Sequence, residues 1–188
     1  MTEPAREQLS LLGRRIAVVG GGGKSTLANA LASAIGAPHL ELDSMFWKPG
    51  WVERDADEFK ARVRDALHCR DGGWVCDGNY MTKLGNLVVS RADTVIFVNM
   101  PWRVMYRRVL MRGIARAMDG RQICGENRET WRQLVSSDSL VWWHLKHRKK
   151  YLDRPRRVRA LTPTDTPLIQ LDSPRQLDQF YARFGLTR

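Results

Sequence analysis

Lys and Arg number 31 against 20 Asp and Glu in a chain of 188 residues, leaving a formal charge of +11. At 43% hydrophobic and 27% charged, the chain can bury a sizeable core; disorder as the main state is excluded, and the length suits one domain. No apolar run reaches the ~18–20 residues of a membrane span, so integral membrane association is not expected, and the basic excess points to nucleic acid, an acidic membrane surface or a polyphosphate ligand.

The N-terminus has no basic-then-apolar order of a signal peptide, and residues 1–13 read as an extension or short helix with a leucine patch at Leu9, Leu11 and Leu12. Cys69, Cys76 and Cys124 have the spacing of neither a disulfide framework nor a zinc site, which fits a reducing cytoplasm. Arg15–Val19 is a short β-branched run that reads as a buried strand, followed at once by four glycines. From Ser25 the pattern turns helical, with Leu27, Ala30, Leu31, Ala34 and Ile35 at three- and four-residue spacing and Gly36 as a stop.

The alternation continues along the chain. Residues 39–42 predict a second strand, and 56–68 a helix with Phe59, Val63, Ala66 and Leu67 on one face. Residues 74–76, 94–98 and 168–171 predict three further strands, the last followed by Ser173-Pro174, an N-cap and first helical residue, and a final helix over 175–184. Strands alternating with helices imply parallel pairing, hence a three-layer α/β domain over 14–188. The long stretch between the fourth and fifth strands predicts a helical insertion, about 103–159, with helices at 103–117 and 128–151 joined around Gly120 and Gly125. Residues 154–167, with three prolines, read as the return loop.

The segment Gly20-Gly21-Gly22-Gly23-Lys24-Ser25-Thr26 joins a strand to a helix, the setting in which glycines turn backbone N–H groups inward around phosphate oxygens. Lys24 would reach terminal phosphates and the Ser25 hydroxyl would ligate magnesium. Counted against G-x-x-x-x-G-K-[ST], the first motif glycine falls on Val18. Either Gly20 opens a loop two residues shorter than usual, or Val18 stands in the glycine's place. A plain glycine-rich turn is the structural alternative.

With this loop, Leu42-Asp43-Ser44-Met45-Phe46-Trp47-Lys48-Pro49-Gly50-Trp51 and Val75-Cys76-Asp77-Gly78-Asn79-Tyr80, the chain resembles the bacterial P-loop kinases related to adenylate and shikimate kinases. Within these it is most similar to the small topology modulation proteins, over roughly residues 14–184. The resemblance implies a P-loop NTPase fold, with a five-stranded parallel sheet in the order 2-3-1-4-5, a lid inserted after the fourth strand, and ATP and Mg2+ as cofactors. It also implies that Asp43 faces the phosphoryl acceptor and Asp77 the magnesium. Read from the residues alone, both acids follow apolar strands at the edge where ligands collect in open α/β folds, and a loop-capping Asp is the plain alternative. Asn99 departs from the family, standing where relatives often carry an acid.

Arg108, Arg112 and Arg116 recur every four residues and share one helical face. An anion along that face would offset their repulsion; solvation would do so too. By resemblance to the kinase lid, Arg108 stacks on the adenine and Arg112 pairs with phosphates, with Arg116 and Arg121 closing over the transferred group. Trp131, Trp142 and Trp143 share helical spacing with Leu134, Val135 and Leu145 and read as packed side chains, while Trp47 and Trp51 frame a Lys-Pro-Gly turn near Asp43. Residues 146–159 form the strongest basic cluster and a candidate nucleic-acid surface, with His144 and His147 part of it. The leading expectation is ATP- and magnesium-dependent phosphoryl transfer to a small acceptor, with nucleotides and nucleosides the candidates. Beside it stand a regulatory or nucleic-acid-binding P-loop protein with slow or no NTP hydrolysis, and a degenerate kinase fold.

Overall fold

The computed structural model describes residues 3–68, 72–119 and 153–187, and between them residues 122, 123, 127, 128, 131, 142 and 146. The chain opens with α1 (Glu3–Ser10), β1 (Arg15–Gly21), α2 (Lys24–Ile35) and β2 (His39–Glu41). A short helix α3 (Leu42–Phe46) leads into the ribbon β3 (Trp47–Lys48) and β4 (Val52–Glu53), then α4 (Ala56–His68), β5 (Trp74–Asp77) and α5 (Met81–Leu84). After β6 (Thr94–Asn99) come α6 (Trp102–Asp119) and a second ribbon, β7 (Gln122–Ile123) with β8 (Asn127–Arg128). The described remainder is α7 (Arg154–Leu161), β9 (Leu168–Leu171) and α8 (Pro174–Arg183).

Five strands form one sheet in the spatial order β2, β5, β1, β6, β9, and every neighbouring pair is parallel. The three inner strands are buried on both faces, which is why they read as continuous apolar runs rather than alternating ones. Their side chains still part by twos. Ile16, Val18, Val75, Ile96 and Val98 meet α2 and α8, whereas Ala17, Val19, Cys76, Val95 and Phe97 meet Phe59 and Val63 of α4. Two helical layers therefore enclose the sheet. The parallel register brings Gly21, Glu41, Asp77 and Asn99 to its carboxyl edge, because Gly21 pairs with Asn99 and Glu41 with Asp77.

Several boundaries differ from the sequence expectation. The glycine run is half strand: Gly20 and Gly21 continue β1 opposite Val98 and Asn99, so only Gly22 and Gly23 separate it from α2. The second strand stops at Glu41, and Leu42, 3% exposed, begins α3, placing Asp43 in a helical first turn instead of at a strand end. Residues 154–161 are helical, not loop, since Pro155 sits where a helix needs no N–H and Val158 is fully buried. Arg128, where the second insertion helix was expected to begin, is in strand β8, and Gly120, Gly125, Leu134, Val135, Trp143 and Leu145 lie outside the described residues. Trp131 and Trp142, expected to pack, are 51% and 46% exposed, because helical spacing aligns side chains without supplying a surface to cover them. Leu9 and Leu12 of the N-terminal segment join the core on the α2 side, and Leu11 points out at 72% exposure.

Candidate active site

The junction between β1 and α2 is shaped by backbone constraints. Gly20 holds φ +105, and a β-carbon there would run into the Val98 carbonyl oxygen, so glycine alone fits. Its N–H donates to Asn79 Oδ1 at 2.8 Å, and Asn79 Nδ2 donates back to the Gly20 carbonyl at 2.6 Å. The Gly22 carbonyl accepts from the Arg108 guanidinium. Gly23 caps α2 without a side-chain acceptor, and the first helical amide to close on it is Leu27 N, 3.0 Å from the Gly23 carbonyl. The amides of Lys24, Ser25 and Thr26 have no carbonyl a turn behind them within the helix, and they carry its positive end.

Asp77, 2% exposed, is the centre of the site. Its Oδ2 accepts from Lys24 Nζ at 2.6 Å and from Ser25 Oγ at 2.6 Å, while Oδ1 lies 3.0 Å from His39 Nε2. Burial alone would raise this carboxyl's pKa, yet His39, the Lys24 charge and the Ser25 hydroxyl together hold it down at about 2. It is therefore a carboxylate at neutral pH. Next to it Cys76 is driven the other way, its thiol pKa raised by complete burial and by the Asp77 charge, which leaves it a packing residue. Cys69 and Cys124 lie outside the described residues.

Each residue of the Asp77-Gly78-Asn79-Tyr80 turn serves a different neighbour. Asp77 takes Lys24 and Ser25, Gly78 lies against Leu42 where a β-carbon would clash, and Asn79 clasps Gly20. Tyr80 donates its hydroxyl to Asp43 Oδ1 at 2.8 Å and packs its ring tilted against Phe46 and edge-on to Phe59, at centroid distances of 4.9 and 5.1 Å. Beyond Phe46, Trp47 and Trp51 meet edge to face at 5.6 Å. Trp51 holds a left-handed φ of 59, steadied by its N–H donating to Asn127 Oδ1 at 2.8 Å, and Asn127 Nδ2 donates to the Lys48 carbonyl at 3.0 Å. Asn127 itself is 3% exposed, so β8 is pinned to the β3–β4 turn.

The arginine series divides along α6. Met105, Val109 and Gly113 are buried, the first two in the core with Ile96 and Val98, and Arg108, Arg112 and Arg116 run beside that face. Arg108 is half-buried on the glycine junction, whereas Arg112 and Arg116 lie about 6 and 12 Å further along the axis. Arg121 lies outside the described residues. Asn99 donates from its amide nitrogen to Asp172 Oδ1 at 2.6 Å. Of the basic 146–159 segment, Lys146, Arg156, Arg157 and Arg159 are exposed; residues 147–152, and His144 before them, are outside the described set. No described helix is long and apolar enough to cross a membrane.

The structure thus brings together Lys24, Ser25, Asp77 and Arg108 around the junction, with Asp43 one turn away through Tyr80. His39, Glu41, Asn79, Tyr80 and Asn127 had no assigned role from sequence. A period-two His-x-Glu on a short strand was the available signal for the first pair.

No protein-family model matches the chain, and no curated protein does. Among solved structures it is similar to an unliganded sugar kinase from Janibacter sp. HTCC2649, at 16% identity over 93% of this chain and 95% of that one, with a TM-score of 0.49. It is also similar to an uncharacterised protein from Eubacterium ventriosum ATCC 27560, at 14% identity over 92% of this chain and 98% of that one, with a TM-score of 0.44.

Proposed function

We propose that this chain transfers the γ-phosphoryl group of magnesium-bound ATP to a small acceptor of the nucleotide or nucleoside class. The observation that carries this is the meeting of Lys24 Nζ and Ser25 Oγ on one buried carboxylate oxygen, directly after a two-glycine junction and at a helix N-terminus. That donor set fits the groups it would hold. A hydroxyl and a carboxylate are the hard oxygen ligands magnesium takes, and an ammonium beside orphan amides suits phosphate oxygens.

Ser25 and Asp77 would hold the cation, and the amides of Gly22 to Thr26 with Lys24 the triphosphate. When bound, magnesium would offset charge on the transferring group that ATP supplies. Lys24 exchanges its Asp77 partner for phosphate oxygens as the nucleotide seats. Asp43, fixed by the Tyr80 hydroxyl, accepts a hydrogen bond from the acceptor hydroxyl and orients it for attack. Arg108 sits at the junction already, and Arg112 and Arg116 supply further positive charge when α6 closes on the phosphates. The site lies beside a sheet edge at which β2 and β5 end in acids, Glu41 and Asp77.

A thermal-shift titration with Mg-ATP and Mg-GTP tests the binding step, since a ligand that binds only the folded state raises its melting temperature. The expected result is stabilisation by Mg-ATP that disappears in Lys24→Met, followed by ADP release with a nucleoside or nucleoside monophosphate. No shift at saturating nucleotide would sink the proposal. One feature favours a second reading, a nucleic-acid-binding regulator with slow or no hydrolysis: a junction of only Gly22 and Gly23, with Arg156, Arg157 and Arg159 exposed on α7. Nucleotide stabilisation without turnover, together with salt-sensitive RNA retention, would select it.

A further inference from the structure

Asp77 has a second oxygen, and phosphoryl transfer leaves it unused. In β2 the two-residue period sets His39 and Glu41 on one face, and the parallel register sets Glu41 beside Asp77. Among the described residues, His39, Glu41 and Asp77 are the group of His, Cys or acidic side chains that offers three ligand atoms within 4.8 Å of one another. The His39 Nε2 to Asp77 Oδ1 separation is 3.0 Å. Two ligands at right angles on an ion with bonds of about 2.1 Å stand about 3.0 Å apart, so a cation fits on this edge in place of the hydrogen bond, the Nε2 proton leaving to solvent as the ion binds. Lys24 and Ser25 occupy Oδ2, the opposite oxygen, so the Oδ1 side is chemically separate.

We propose that His39, Glu41 and Asp77 form a binding site for a divalent first-row transition cation, filled without nucleotide. One imidazole with two carboxylates suits manganese or zinc, whereas magnesium gains little from a nitrogen ligand. The site is open on the Glu41 side, which is exposed, and closed on the Asp77 side. It shares Asp77 with the phosphoryl-transfer proposal and does not rest on it. Lys24 near the same carboxylate weakens cation binding electrostatically, so seating a triphosphate that draws Lys24 away would tighten it, and linkage makes the effect mutual.

The test is a titration of the nucleotide-free full chain with Mn2+, reading the free ion by electron paramagnetic resonance and the bound ion by its coupling to nitrogen in the pulsed experiment. The expected result is one bound Mn2+ carrying an imidazole nitrogen signal, displaced by Mg2+ only at about 100-fold excess. Glu41→Gln should weaken binding about tenfold or more and keep the nitrogen signal at saturation; His39→Gln should weaken it likewise and abolish the signal. Binding with no nitrogen coupling, or affinity unchanged in both variants, or no binding at millimolar Mn2+, would overturn the site. If His39→Gln fails to fold, the nitrogen signal of the unaltered chain decides alone. Failure here leaves the ATP-dependent thermal shift untouched, so the two proposals fall separately.

Discussion

Asp77 is ionised inside the protein because three donors converge on it, and its stability contribution has a definite pH window. The folded-state carboxyl titrates at about 2 and an unfolded aspartate near 4, so the stabilisation is complete above about pH 4 and is lost as pH falls toward 2. The part lost between pH 5 and pH 2 is about 2 kcal/mol. In urea melts the gap between the unaltered chain and Asp77→Asn should therefore narrow by about that amount between pH 5 and pH 2. A gap independent of pH would show that His39 and Lys24 do not hold the carboxylate. The same variant and Asp43→Asn are each expected to lose phosphoryl transfer, read as ADP release. Asn79→Ala removes two hydrogen bonds from Gly20 and should cost about 1–3 kcal/mol in the same melts, with a lowered nucleotide affinity, because the junction loses its clasp.

At the scale of elements, α6 is an 18-residue helix that begins beside the glycine junction and carries charge away from it. Arg112→Ala should raise the ATP requirement about tenfold and depress turnover, with Arg107→Ala, exposed on the same helix, as the control. Equal kinetics in the two variants would assign the arginine series to solvation. The strands of the central sheet were legible because runs such as Ile16–Val19 and Val95–Val98 are apolar throughout, the mark of strands buried on both faces. The end of β1 was not legible. Glycine composition signals a loop, and what keeps Gly20 and Gly21 in the sheet is pairing with Val98 and Asn99, some 78 residues on. α7 was hidden for the opposite reason: the three prolines of residues 154–167 suggested a loop, although Pro155 lies in a first turn that tolerates it and the other two follow the helix. Lys24, Ser25 and Asp77 could be picked from motif spacing, whereas His39 reaches Asp77 only through the register of β2 on β5.

Across the whole molecule, the N-terminal segment is part of the fold through Leu9 of α1 and Leu12 just after it, which join the core that α8 lines. Leu9, 4% exposed, has its side chain in the same core as Phe180 and Tyr181. Leu9→Ala should cost about 2–4 kcal/mol in a denaturant melt, whereas Leu11→Ala, on an exposed side chain, should cost little. Equal effects would mean that α1 is a loosely attached extension. The formal +11 also acquires a layout: Arg108, Arg112 and Arg116 run from the glycine junction along α6, while Arg156, Arg157 and Arg159 stand on a helix packed behind β6 through Val158. Two basic surfaces on different helices serve different ligands more readily than one.

The Asn127 clasp makes the β3–β4 turn and the β7–β8 ribbon a single mechanical part, although 76 residues of chain separate Trp51 from Asn127. A displacement of the ribbon is then felt at once by the Trp47–Trp51 pair beside Asp43. Indole fluorescence becomes a gauge of ribbon position, and Asn127→Ala is the change that should uncouple the gauge from the motion.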